Sequence, residues 1–126
     1  MQPIAITATG APAPGGPYSP ALQIGDWVLL AGQGGADPGT GQLGDTIEEQ
    51  TEQTLRNIAT LLDAAGCTLD DVVSSLVHLA DLSHFARFNA VYGPHFADPK
   101  PVRTTVGAQL LHGMLVEITV VALRPS

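Results

Sequence analysis

The stretch TIEEQTEQTLRNIATLLDAAGCTLDDVVSSLVHL, residues 46–79, decides the fold because a helical pattern gives way to a strand pattern within it. Apolar residues recur at helical spacing from Ile47 to Ala65. Thr46 followed by Glu49 three residues later matches a capping box, and Gly66 is typical of a helix C-terminal stop. Val72–Leu79 is rich in β-branched residues, which favour strands. The sequence therefore predicts a helix starting near Thr46 and a strand over Val72–Leu79.

Short strands are predicted before this helix. Ala21–Ile24 and Trp27–Ala31 are apolar runs separated by Gly25-Asp26, a spacing that predicts a hairpin with a two-residue turn. Ile4–Thr7 alternates weakly and indicates a short edge strand. The segment from Gly32 to Gly44 is dense in Gly, Asp and Pro, so we expect a loop there.

A second helix and two further strands complete the domain. Asp81 or Ser83 caps this helix, and Pro94 disturbs its C-terminal part. Arg103–Ala108 and Leu115–Leu123 follow as strands. The order β-β-β-α-β-α-β-β predicts a single α+β domain over residues 1–126, with both helices on one face of a mixed sheet. Because no third helix is present to cover the other face, we expect a second subunit to cover it.

The charge composition narrows the partners. Five Lys and Arg oppose twelve Asp and Glu, a formal charge of −7, and only 13% of residues are charged, against about 25% in an average soluble domain. Scattered basic residues argue against binding to nucleic acid or to an anionic membrane surface. The shortage of surface charge instead favours self-association.

The lone cysteine bears on the cellular location, and the histidines and a glycine-rich run bear on metal and phosphate binding. The lone cysteine, Cys67, excludes an intrachain disulfide and fits a reducing cytoplasm as a small buried hydrophobe. No targeting signal or apolar run of about 20 residues is visible. The four histidines are widely spaced, so we predict no metal site: His78, His84, His95 and His112. The GQGG run at 32–35 lacks a following GK[ST], and we interpret it as a flexible turn.

Two charged residues occupy unusual positions in predicted strands. Arg103 opens a strand directly after Pro101-Val102, and Glu117 is flanked by apolar residues in LVEITVVAL. Glu117 either points to solvent from an alternating face or points into a half-buried pocket, where burial would suit it to proton transfer. A nearby arginine could hold a substrate carboxylate through two hydrogen bonds.

Several short motifs in order resemble the RidA/YjgF family of reactive-intermediate deaminases across nearly the whole chain. They are GPYSPA (16–21), AGQ (31–33), DPGTG (37–41), Gln50-Thr51 with Asn57, AAG (64–66), FNAVY (88–92), PVR (101–103) and VEI (116–118). The resemblance implies a chorismate-mutase-like fold and a barrel-like homotrimer with active sites in clefts between subunits. It also implies hydrolysis of 2-imino and enamine acids, such as 2-aminoacrylate and 2-iminobutanoate, to 2-keto acids and ammonia, without a cofactor.

The resemblance also assigns site residues. Arg103 matches the arginine that binds the substrate carboxylate, and Glu117 matches the glutamate that positions the attacking water. Substrate-binding positions match at Tyr18, Ala31, Gly32, Asn89 and Thr105.

Three departures from the family pattern bear on substrate preference. Ala31 stands where many members have Ser, Thr105 where many have Cys, and Pro20 where Gln is common. Two alternatives remain open beside deamination. One is a trimer that binds small ligands in the same cleft without turnover, and the other is a ribonuclease or translation inhibitor, which the acidic charge disfavours.

Overall fold

A six-stranded mixed sheet carries two helices on one of its faces in the computed structural model, which describes residues 1–126. The elements in chain order are β1 (Ile4–Ile6), β2 (Ala21–Ile24), β3 (Trp27–Leu30), α1 (Ile47–Ala64), β4 (Val72–Leu79), α2 (Phe85–Tyr92), β5 (Val102–Gly107) and β6 (Val116–Leu123). The strand order is β1-β2-β3-β6-β4-β5, and only the β4–β5 pair is parallel. The predicted α+β class and element order are confirmed.

The long helix α1 is defined at both ends by hydrogen bonds that the sequence predicts. The Thr46 hydroxyl accepts the Glu49 N–H at 3.1 Å, while the Glu49 carboxylate bonds the Asp45 N–H, one residue before the expected partner. At the other end, Gly66 has a φ of +79°. The N–H groups of Gly66 and Cys67 donate to the Asp63 and Leu62 carbonyls, which is the pattern of a Schellman motif.

The second helix begins differently from the prediction. Asp81 does accept a backbone N–H, from Ser83 at 2.9 Å, but it caps a 3-10 turn over Leu82–His84 that runs directly into α2. A second 3-10 turn, over Gly93–His95, continues past α2 and contains Pro94. The Arg87 guanidinium fixes α2 against α1 through two hydrogen bonds to Glu48, and this pairing lowers the Glu48 pKa.

The core lies between the sheet and the two helices. Strand β6 shows the alternation most clearly, since every second side chain is fully buried beneath α1: Val116, Ile118, Val120 and Ala122. Leu55, Ile58 and Leu62 of α1 belong to the same hydrophobic core. Cys67 is also buried there, and burial raises the pKa of its thiol, so it fills space as predicted.

The opposite face of the sheet, called the outer face below, has no helix over it. Large apolar side chains project from it, including Trp27 and Leu123, which are 48% and 40% exposed. Leu29 and Leu76 extend the same patch across β3 and β4. The predicted one-sided packing is thus confirmed, and an apolar patch of this kind is typical of a surface that binds another protein. No helix is long and apolar enough to span a bilayer.

The Schellman turn makes a testable prediction for Gly66→Ala. An alanine at φ +79° is strained, and its Cβ would lie 3.3 Å from Nη2 of Arg124. We expect the variant to lose about 1–2 kcal/mol in the free energy of unfolding, measured by urea denaturation at fixed protomer concentration. The control is Gly93→Ala, where φ is −53° and no atom lies within 4 Å of the added Cβ. Equal stability of the two variants would contradict this account.

Candidate functional site

Glu117 lies in a cleft of about 310 Å³ on the outer-face side of β6. Two loops form its walls, residues 12–20 and 32–36, and the turn before β6 closes one end. The lining residues that matter here are Tyr18, Gly32, His112 and Glu117. The Glu117 side chain is 31% exposed. The sequence left open whether Glu117 points to solvent or into a half-buried pocket, and the structure supports the half-buried pocket.

Gly32 lies close to the carboxyl group of Glu117. A Cβ at position 32 would lie 2.8 Å from Cδ of Glu117, so a side chain there would displace the carboxyl group. The loop cannot easily move away, because Gln33 and Ile118 exchange two backbone hydrogen bonds of 2.9 Å. Gly32 therefore forms one wall against the Glu117 carboxylate, and its lack of a side chain leaves the space that the carboxylate occupies.

Tyr18 lines the cleft, whereas Ala31 precedes the lining loop and does not line the cleft itself. The Tyr18 hydroxyl accepts a hydrogen bond from the Gly15 N–H at 3.0 Å, and the ring is half exposed. The Ala31 N–H donates to the Pro20 carbonyl at 2.9 Å, so residue 31 holds the two loops together. We call Tyr18, Gly32 and Glu117 the glutamate cleft.

Arg103 lies on the helix side of the sheet, away from the glutamate cleft. It pairs with Ser75 in the β4–β5 register, and Ser75 is buried beneath the helices. Its guanidinium carbon lies 5.6, 5.5 and 4.9 Å from the ring centroids of three α2 residues: Phe85, Phe88 and Tyr92. These are cation–π distances. No carboxylate lies within 4.0 Å of Arg103, whereas Arg56 and Arg87 both form ion pairs.

Buried polar atoms without partners occur on the elements that hold Arg103. Asn89 Oδ1 on α2 and Thr105 Oγ1 on β5 are buried and make no hydrogen bond. Burial raises the pKa of Tyr92, although the Ser75 hydroxyl and the Arg103 charge oppose the shift. The phenol is therefore a neutral donor near an unpaired cation. Unpaired buried oxygens are costly, and a polar ligand would satisfy them.

Two half-sites, rather than one pocket, result from this arrangement. We call Asn89, Arg103 and Thr105 the arginine half-site. Glu117 pairs with His78 on the outer face, and Arg103 pairs with Ser75 on the helix face, so the two charges point away from each other. Six of the seven residues predicted from the sequence thus form two groups that a single chain does not bring together. The seventh, Ala31, contributes only its backbone hydrogen bond to Pro20.

Some features of the site were missed by the sequence reasoning. The aromatic platform beneath Arg103 was detectable as apolar spacing in α2, but its contact with a β5 residue depends on the parallel β4–β5 pairing. His112 was assigned no role, yet it lines the glutamate cleft, with a left-handed backbone at φ +59°. A larger hollow of about 610 Å³ lies beside α1 and contains none of the predicted site residues.

Both the sequence and the fold of this chain have counterparts among known proteins. The family model described as Endoribonuclease L-PSP matches residues 8–124. The chain belongs to this family, also known as RidA/YjgF.

Individual relatives align along nearly their whole length. A RutC family protein of Saccharolobus solfataricus is 46% identical over 114 residues, covering 89% of this chain and 90% of the relative. A mouse 2-iminobutanoate/2-iminopropanoate deaminase is 40% identical over 122 residues, covering 94% of this chain and 90% of the relative. The crystal structure of RidA from an Antarctic Psychrobacter superposes with a TM-score of 0.92 at 39% identity, covering 95% of this chain and 98% of that one.

The contact between Gly32 and Glu117 predicts the effect of Gly32→Ala. The new Cβ would overlap the Glu117 carboxyl group, so we expect that group to move by about 1 Å or more to reach ordinary van der Waals separation. A crystal structure of the variant measures the displacement. The control is Gly15→Ala in the same cleft, where the nearest atom to the added Cβ is 4.0 Å away. A Glu117 carboxylate in the same place in both variants would overturn the wall assigned to Gly32.

Proposed function

We propose that the protein hydrolyses reactive 2-imino and enamine acids, of the 2-iminobutanoate and 2-aminoacrylate type, to 2-keto acids and ammonia. The observation that carries the proposal is the unpaired guanidinium of Arg103, held on aromatic rings, with buried polar atoms without partners on the same strand and on α2. Membership of a family that includes the mouse deaminase supports the same reaction.

We assign Arg103 the role of binding the substrate carboxylate. A guanidinium presents a planar pair of N–H donors that matches a carboxylate, and this one has no protein acid to neutralise it. The rings of Phe88 and Tyr92 restrict its orientation. Asn89 and Thr105 offer oxygens that can accept hydrogen bonds from the substrate nitrogen. Fixing the carboxylate would orient the adjacent C=N carbon, a contribution to rate that arises from positioning.

We assign Glu117 the role of activating the attacking water. Its carboxylate can accept a proton as the water oxygen forms a bond to the imine carbon, and can pass that proton to the nitrogen to give the carbinolamine. It can then take the carbinolamine hydroxyl proton and deliver it to the nitrogen, so that the C–N bond breaks as the C=O bond forms. An enamine substrate first gains a proton at its β-carbon and becomes the imine. The products are then a keto acid and ammonia, and no electron transfer or cofactor is required. Tyr18 and Gly32 shape the opening through which the substrate approaches Glu117.

A homotrimer is part of the proposal, because the two half-sites point in opposite directions within one chain. In this proposal, the second copy that covers the apolar outer face also brings its arginine half-site to Glu117. The exposed Trp27, Leu29 and Leu76 supply the apolar surface for such an interface. Each active site would then take its arginine from one subunit and its glutamate from the neighbour.

The Cys67 thiol bears on the cellular location, and the basic side chains bear on a rival nuclease function. A cytoplasmic location is supported by the single buried thiol of Cys67.

A nuclease role is disfavoured because three of the five basic side chains face acids: Arg56, Arg87 and Lys100 pair with Glu52, Glu48 and Asp98. RNA binding would need a cluster of free basic groups. The proposed partner is therefore a small acid, with no nucleic acid or membrane involved.

The direct test follows ammonia and keto-acid formation from 2-iminobutanoate generated in situ by a threonine dehydratase. Arg103→Ala should lower kcat/KM by about 100-fold or more, since substrate orientation is lost. Arg103→Lys should recover part of this, because the charge remains without the planar fork. The matched control is Arg124→Ala, an exposed arginine at the end of β6 that also forms no ion pair, and it should retain full activity.

Two outcomes would contradict the proposal, the first for the deaminase itself and the second for the role of Arg103. One is wild-type protein that does not accelerate hydrolysis above the uncatalysed rate. If such protein still binds 2-ketobutanoate, and Arg103→Ala abolishes the binding, the cleft belongs to a non-catalytic ligand-binding protein. The second outcome is full activity in Arg103→Ala, which would remove the arginine from the mechanism.

A further inference from the structure

A histidine faces Glu117 from the neighbouring strand, and no role has yet been given to it. His78 on β4 and Glu117 on β6 are direct partners in the antiparallel register. Nδ1 of His78 lies 4.0 Å from Oε1 of Glu117, with the two side chains 26% and 31% exposed. The contact is therefore half-buried, where water screens charges less than on an open surface.

The two ring nitrogens of His78 are not equivalent. Nδ1, the nitrogen that faces Glu117, is buried and has no hydrogen-bond partner within the chain. A buried ring nitrogen without a partner is costly, and the Glu117 carboxylate is the acceptor near it. At 4.0 Å the pair is too long for a direct hydrogen bond, but one bridging water or a small side-chain rotation closes the gap.

Glu117 is restrained by backbone on its other side. The carboxyl group lies close against Gly32, since the position that a Cβ would take there is only 2.8 Å from the carboxyl carbon. The neighbouring outer-face positions are Leu76 and Thr119 on the next rung and Val106 beside His78 on β5, none of which ionises. Tyr18 and His112 are the other titratable groups lining the cleft. His78 is thus the cross-strand group that can orient the carboxylate.

We propose that His78 is a positioning residue for Glu117, donating through Nδ1–H, directly or through one water, to the carboxylate. This role rests on the proposed function, in which Glu117 handles the water. One carboxylate oxygen is then occupied by His78, and the other is left to accept the proton from the attacking water. His78 itself does not touch the substrate, so its loss affects the chemical step rather than binding.

The kinetic test compares three substitutions of His78. His78→Leu should lower kcat roughly tenfold with KM unchanged within about twofold, because only the orientation of the base is lost. His78→Asn should stay within about threefold of wild type, since its amide nitrogen, like Nδ1, is bonded to Cγ. His78→Gln moves the amide one bond further out and should behave like His78→Leu. The matched control is Thr119→Val on the next rung of the same face, which should leave both constants unchanged.

A second readout needs no substrate. The ¹H–¹⁵N correlation spectrum of the neutral His78 ring, recorded at a pH where it is unprotonated, reports which nitrogen carries the hydrogen. We expect the Nδ1–H tautomer in the wild type and a shift towards Nε2–H in Glu117→Ala. This result establishes the contact even if no imine is hydrolysed, so it separates failure of the His78 role from failure of the deaminase.

A kinetic or a spectroscopic finding overturns the proposal. One is a His78→Leu variant with wild-type kcat, or a His78→Asn variant as slow as His78→Leu. The other is a ring tautomer that does not change when Glu117 is removed.

Discussion

The alternation of side chains along β6 is the constraint on which the rest of the structure depends. Because successive residues of a strand point to opposite faces, burying Val116, Ile118, Val120 and Ala122 under α1 forces Glu117 and its alternate neighbours to the other face. A shift of one residue in the β4–β6 register would reverse both sets. The position of the carboxylate is therefore fixed by the same burial that stabilises the domain.

The parallel β4–β5 pairing has the opposite consequence for Arg103. Its partner in the register, Ser75, faces the helices, and so Arg103 faces them as well. There the aromatic side of α2 supports the guanidinium without neutralising it. An ion pair would fix the arginine equally well, but it would leave no free charge for a ligand. The aromatic platform restricts the side chain and keeps the charge available.

Much of the fold was predictable because its signals are local. The Thr46 cap, the Gly66 stop and the Gly25-Asp26 hairpin all lie within a few residues of the contacts they predict, and each is present. The start of α2 was less accurate, since the hydrogen bond from Ser83 to Asp81 initiates a 3-10 turn before the helix. Local spacing does not distinguish these two kinds of turn.

The arrangement of the candidate site was predictable only in part. The resemblance to a known family supplied Arg103 and Glu117, and composition together with the uncovered face suggested self-association. Local patterns could not show that the two residues lie on opposite faces, because that depends on how β5 and β6 each pair with β4. The pairing of His78 with Glu117 was hidden for the same reason, since 38 positions separate the two in the chain.

Complementation between two inactive variants tests most directly whether each site combines half-sites from different subunits. Arg103→Ala and Glu117→Ala proteins would be co-expressed with different tags, and assemblies carrying both tags would be purified and assayed for hydrolysis of 2-iminobutanoate. In a trimer with one site per interface, every mixed assembly regains one intact site of three, so the account predicts about a third of wild-type activity. Mixed assemblies as inactive as their parents would show that Arg103 and Glu117 must act within the same chain, and would contradict the account.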